Sequence, residues 1–143
     1  MANKSSNPKY ALVEVVHDWV KQKLEAGEGF SVLLATNHSD GKRLTKYTYD
    51  TVELALQRCE EELKNELADA SGYSFVFDAR TKIENKLVPM LIFQMEENGQ
   101  GTSTNFSQKY EMKKRFFSTK LKFHAYEDFQ PMGQNKPFLG ANV

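Results

Sequence analysis

Leu87-Val88-Pro89-Met90-Leu91-Ile92-Phe93-Gln94-Met95-Glu96-Glu97-Asn98-Gly99-Gln100-Gly101-Thr102-Ser103-Thr104-Asn105-Phe106-Ser107-Gln108-Lys109-Tyr110 is the stretch whose reading decides the fold. Before the Asn98-Gly99 pair, Leu87, Pro89, Leu91, Phe93 and Met95 share one parity. After it, Thr102, Thr104, Phe106, Gln108, Tyr110 and Met112 do the same. Asn-Gly is a strong hairpin signal because a type I′ turn needs positive φ at both central residues, which this pair tolerates. The second half of the chain therefore reads as antiparallel sheet, with strands at 86–96 and 102–112. Pro89 has no N–H to give a ladder, so it marks an edge position or a bulge.

Working outward, Tyr73, Phe75 and Phe77 alternate with Ser74, Val76 and Asp78 as a strand at 73–79, and Arg80–Asn85 turns the chain into the next strand. Beyond the basic connection Lys113-Lys114-Arg115, Phe117, Thr119, Leu121, Phe123 and Ala125 alternate with polar residues as a last strand. Toward the N-terminus, Phe30, Val32 and Leu34 alternate, with Leu33 adding a second apolar face. Arg43, Thr45, Tyr47 and Tyr49 alternate after the Asp40-Gly41 turn, so residues 30–36 and 42–49 read as a hairpin.

Two helices complete the pattern. Asn7-Pro8 supplies an N-cap and first-turn proline, Leu12, Val13, Val16, Trp19, Val20 and Leu24 recur at helical spacing, and Gly27 and Gly29 provide the stop, which predicts a helix over 8–26. Asp50-Thr51-Val52-Glu53 has the form of a capping box. Val52, Leu56, Cys59, Leu63 and Leu67 form an apolar stripe after it and Gly72 ends it, which predicts a helix over 51–70.

The order is αββαββββ: an α+β domain over residues 1–127, in which two helices cover one face of a mainly antiparallel sheet of about six strands. Residues 128–143, with Pro131, Gly133, Pro137 and Gly140, lack periodicity and read as an irregular tail, either disordered or docking through Phe138 and Leu139. The hairpin ending Phe106-Ser107-Gln108-Lys109-Tyr110 resembles a Phe-x-Gln-basic-Tyr ending found in small bacterial proteins of unassigned activity. That resemblance implies an α+β scaffold and transfers no site residue.

Nineteen basic and nineteen acidic side chains cancel, so no global field draws the molecule to nucleic acid or an anionic membrane. No apolar run approaches a bilayer span, and Met1–Pro8 has no hydrophobic signal region. Cys59 is the single cysteine, which excludes an intrachain disulfide and suggests a reducing, cytoplasmic setting. On the apolar stripe it reads as a small buried hydrophobe rather than a nucleophile. The acidic face of the second helix reads as solvated surface.

The functional signals are sparse. His17, His38 and His124 have no metal-ligand spacing, and no cofactor is implied. His38 lies in the loop Asn37-His38-Ser39-Asp40-Gly41, where three catalytic residue types adjoin, but a triad must converge in space. The strongest non-core signal spans residues 109–124, where six basic residues stand against one acidic residue with aromatics interleaved. Lys109, Lys113, Lys114, Arg115, Lys120, Lys122 and His124 are the candidate contacts for a partner or for single-stranded nucleic acid. Parity places Leu121 and Phe123 opposite Lys120, Lys122 and His124, which fits a half-buried strand better than a recognition sheet.

Three functions follow. A non-enzymatic domain that binds a protein or itself is the first expectation, and nucleic-acid binding through residues 109–124 is the second. The third is a small enzyme assembled only in the fold, with Asp78, Arg80, Glu84, His38, His124 and Tyr110 as groups to inspect.

Overall fold

In the computed structural model, residues 11–65, 69–97, 103–114, 121–126 and 128–135 are described. Helix α1 (Ala11–Ala26) ends as its glycines predict: Gly27 adopts φ +70°, its N–H bonds Leu24 O at 3.2 Å, and Glu28 N–H reaches Lys23 O at 3.0 Å. This paired closure satisfies the last carbonyls of the helix, and the positive φ is what glycine supplies. Asn7 and Pro8 lie outside the described residues.

Helix α2 (Val52–Lys64) is shorter than its stripe suggests. Its N-cap is Thr51, whose Oγ1 accepts from Leu54 N at 3.2 Å, one residue later than the Asp50 cap. Asn65 closes the other end, its backbone N–H reaching Glu61 O and its Nδ2 donating to the same carbonyl at 2.8 Å. Gly72 is therefore not the helix stop; it opens a strand.

The described residues form seven strands, the first six from the alternating runs: β1 (Val32–His38), β2 (Gly41–Tyr47), β3 (Gly72–Ile83), β4 (Lys86–Glu97), β5 (Ser103–Lys114), β6 (Leu121–Ala125) and β7 (Gln130–Asn135). They form one antiparallel sheet in the order β2-β1-β3-β4-β5, with β6 and β7 both on β5. The chain is thus α+β, with one strand more than the sequence predicts.

That strand lies in the supposedly irregular tail. β6 runs back along Lys114–Tyr110, and β7 continues along Ser107–Ser103. Pro131 and Gly133 hide β7 from a periodicity argument, yet an outer strand tolerates both because its far side needs no ladder bonds. Phe129, in the kink between them, packs its ring against Phe93 at 5.2 Å and Phe106 at 6.3 Å. Phe138 and Leu139 lie outside the described residues.

The hairpins are real, but the turn geometry on view is at another place. β3 runs to Ile83, which pairs with Lys86, and Glu84 and Asn85 between them take φ of 49° and 66°. Two positive-φ residues make this the two-residue hairpin turn. The Asn98-Gly99 bend is outside the described residues, but its flanking strands pair from Met95↔Thr104 to Met90↔Lys109. Pro89 sits where that ladder ends and β5 turns away to pair with β6, the local edge position a proline requires.

The placement of both helices on one face is overturned. Leu33 and Ala35 of β1, Val76 of β3, Leu91, Phe93 and Met95 of β4, and Phe106 of β5 pack with Leu12, Val13, Val16 and Val20 of α1. Val32 and Leu34 of β1, Tyr47, Tyr73 and Phe75 pack instead with Ala55, Cys59 and Leu63 of α2. Successive strand residues point to opposite faces, so the helices lie on opposite sides of the sheet. The physical reason is in β1: Val32, Leu33, Leu34 and Ala35 are all fully buried, which a sheet with one wet face cannot provide.

α1 touches β1, β3, β4 and β6. Five adjacent strands span about 19 Å and a helix with its side chains about 10–12 Å, so the sheet must curl around α1. Glu25 ties the far edge, accepting the Phe123 N–H at 2.9 Å.

Burial on both faces makes a specific expectation. In urea titrations, Leu33→Ala and Leu34→Ala should each lower the unfolding free energy by about 2–5 kcal/mol. A loss under roughly 0.5 kcal/mol at either position, the level of a surface change, would contradict a helix on each side.

Candidate functional groove beside α2

α2 lies over β1 and the near part of β3. Beyond Phe75, no helix among the described residues covers that face of β4 and β5. The uncovered sheet and the flank of α2 enclose a groove of about 360 Å³, lined by Leu56, Glu60, Phe75, Phe77, Ile92, Gln94, Asn105 and Met132. Its geometry follows from register. Phe75, Gln94 and Asn105 stand in one row across three strands, and Phe77 and Ile92 occupy the next row. Leu56 and Glu60 are one helical turn apart and form the opposing wall. Met132 of β7, 53% exposed, marks the mouth.

A buried polar network supports the groove from behind. The Gln94 Nε2–H donates to Tyr73 OH at 2.8 Å, and the phenol hydrogen-bonds the buried carboxyl of its cross-strand neighbour Glu96. Burial drives the Tyr73 phenol far above its ordinary range; Gln94 opposes that shift and Glu96 reinforces it. Under α2, Tyr47 OH donates to Glu62, which Arg58 also holds, Nη2 to Oε1 at 3.2 Å. The Tyr47 phenol is likewise pushed up, first by burial and then by Glu62. Cys59, buried as its stripe predicts, has its thiol raised by burial and by the charges of Glu62 and Glu60. These groups are held protonated and inward, as structural ties.

The histidines do not converge. His17 sits against Gln108, Nε2 to Oε1 at 2.8 Å, with the rings of Phe123 and Phe129 edge-on at 5.7 and 5.3 Å. His38 ends β1 instead of occupying a loop. Its side chain is 2% exposed, with Nε2 2.8 Å from Thr36 Oγ1 and Nδ1 3.7 Å from Asp69 Oδ1. Thr36 is itself fully buried, so this Thr–His–Asp line has no accessible nucleophile. Asp40 pairs with Arg43 instead, at 3.5 Å. Of the groups inspected for catalysis, Tyr110 and Asp78 meet, OH to Oδ1 at 2.8 Å. Glu84 is in the exposed β3–β4 turn, the Arg80 side chain lies outside the described residues, and His124 is on another face. Among the described residues no three His, Cys, Asp or Glu groups could hold a metal ion.

The basic stretch divides by parity. Tyr110 and Phe123 stack inside the α1 core with ring centroids 5.2 Å apart. Lys109, Lys113, Lys122 and His124 lie on the opposite face, where Lys113 stands directly across from Lys122 and Glu111 across from His124. Glu111 takes Lys113 at 3.3 Å and the Tyr126 hydroxyl at 2.6 Å, and these partners hold its carboxyl below the usual range, Tyr126 foremost. Lys122 reaches Glu25 at 3.9 Å. Arg115 and Lys120, and the side chain of Lys114, lie outside the described residues.

No family model, no curated protein and no solved structure matches this chain. The groove is not legible as a motif, because its lining comes from α2, β3, β4, β5 and β7. One signal pointed toward it: Val88, Met90 and Ile92 make the second parity of β4 apolar too. No helix among the described residues is long and apolar enough to cross a membrane.

The raised thiol and phenols make stability fall in alkali. In the unfolded chain these groups titrate near about 8.5 for cysteine and about 10 for tyrosine, while the native state keeps their protons. The stability they contribute is complete below about pH 8.5 and is lost as pH climbs past those values. Denaturant titrations should show this decline, and Tyr47→Phe should shrink the part above about pH 10. A wild-type stability unchanged through that range would contradict the protonated network.

Proposed function

We propose that this protein is a non-enzymatic interaction domain that binds another polypeptide through the groove beside α2. The observation that carries this reading is the lining: Leu56, Phe75, Phe77, Ile92 and Met132 are apolar, Gln94 and Asn105 are amides, and Glu60 is the ionisable group among them. Such a surface can desolvate an apolar side chain and orient backbone amides, which is how a groove recognises a polypeptide.

Nucleic-acid binding through residues 109–124 has less support. Stacking on bases needs exposed rings beside the cations, and Tyr110 and Phe123 belong to the core. The enzymatic alternative has less still, since its candidate groups are dispersed.

Site-specific photo-cross-linking gives a direct test. A benzoylphenylalanine at position 132 should yield a polypeptide adduct in native extract, a second copy of this chain included. The adduct should disappear when Ile92→Glu is added, with the circular-dichroism spectrum retained. Labelling at position 132 no stronger than at exposed Leu44, on the other edge of the sheet, would contradict the assignment.

A further inference from the structure

We propose that the occupant of this groove is an extended polypeptide segment whose bulky apolar side chain lies next to a lysine or arginine, the cation pairing with Glu60. The inference rests on the interaction-domain reading and specifies the partner's chemistry. About 360 Å³ lies at the small end of ligand pockets, room for a bulky side chain or two rather than for a packed helix.

The charge argument comes from the walls. Glu60 follows Leu56 by one turn of α2 and is half-buried at the edge of the groove. Arg58 on the same helix is engaged with Glu61 and Glu62, and Glu60 has no ion pair among the described residues. Exposed Glu53 adds to the negative charge of α2. The facing wall, Asn105 and Met132, carries no charge. Gln94 commits one Nε2–H to Tyr73, and its carbonyl oxygen is an acceptor that a donor on the ligand can meet. Carboxylate and carbonyl both favour donors, and a peptide rich in Asp or Glu would meet repulsion and an unmatched acceptor.

Fluorescence anisotropy with three short synthetic peptides tests this. Each has a central phenylalanine–leucine pair, flanked by lysines, by serines or by glutamates. The lysine-flanked peptide should bind about three- to fivefold more tightly than the serine one, the effect of one partly exposed ion pair. Glu60→Lys should reverse the order so that the glutamate-flanked peptide binds best, and Ile92→Glu should abolish binding of all three. Equal affinity of the three peptides, with Ile92→Glu still abolishing binding, would overturn the charge pairing while leaving the groove as the binding surface. No binding by any peptide would overturn the inference, whereas the interaction-domain reading falls separately, on the cross-linking result at position 132.

Discussion

Burial of four consecutive β1 residues, Val32 through Ala35, is the constraint on which the rest of the structure depends. Adjacent side chains on a strand point to opposite faces, so the pairs Val32–Leu34 and Leu33–Ala35 each require an apolar cover. α2 supplies one with Ala55, Cys59 and Leu63, and α1 the other with Leu12, Val13, Val16 and Val20. Fully burying a side chain of this size contributes about 1.5–3 kcal/mol. A sheet with one wet face would forgo that contribution at two of the four positions. The sandwich at β1 is what forces the helices apart.

An asymmetry follows from helix length. α1 has 16 residues and the curled sheet wraps it from β1 to β6, so that face is closed. α2 has 13 residues and lies toward the β2 edge, leaving the outer strands of its own face open beside it. Asn65 caps the end of α2, Tyr47 bonded to Glu62 ties the helix to the sheet, and Tyr73 held between Gln94 and Glu96 fixes the sheet surface beside it. A buried polar group left without its partner costs about 1–3 kcal/mol, so the Tyr47–Glu62 bond disfavours sliding the helix across the sheet. The groove is thus a consequence of a helix too short for its sheet, tied to it by the protonated phenol of Tyr47.

Much of the fold was legible in the sequence. The parity of Leu91, Phe93 and Met95 with Phe106 and Tyr110 identified the hairpin and its buried side, and Val13, Val16 and Val20 identified the inward stripe of α1. The choice of face was not legible from each stripe alone, because an amphipathic helix shows that it is covered without showing by which side of the sheet. Leu33 and Val76 held the missing information, as apolar residues on the parity first read as secondary. β7 was hidden by Pro131 and Gly133, which fit only on an outer strand. The turn expected over Arg80–Asn85 is there, but its two-residue form at Glu84-Asn85, with β3 running on to Ile83, was hidden because glutamate rarely takes positive φ. The groove had no local signature, since eight residues from five elements converge only after folding.

Methyl nuclear Overhauser contacts from Leu33 and Leu34 measure the two-sided arrangement most directly. Leu33 methyls should show contacts to the α1 valines Val13, Val16 and Val20, and Leu34 methyls should show contacts to Leu63 and Ala55 of α2. Both leucines reporting the same helix, or either one reporting none, would contradict a sheet held between α1 and α2.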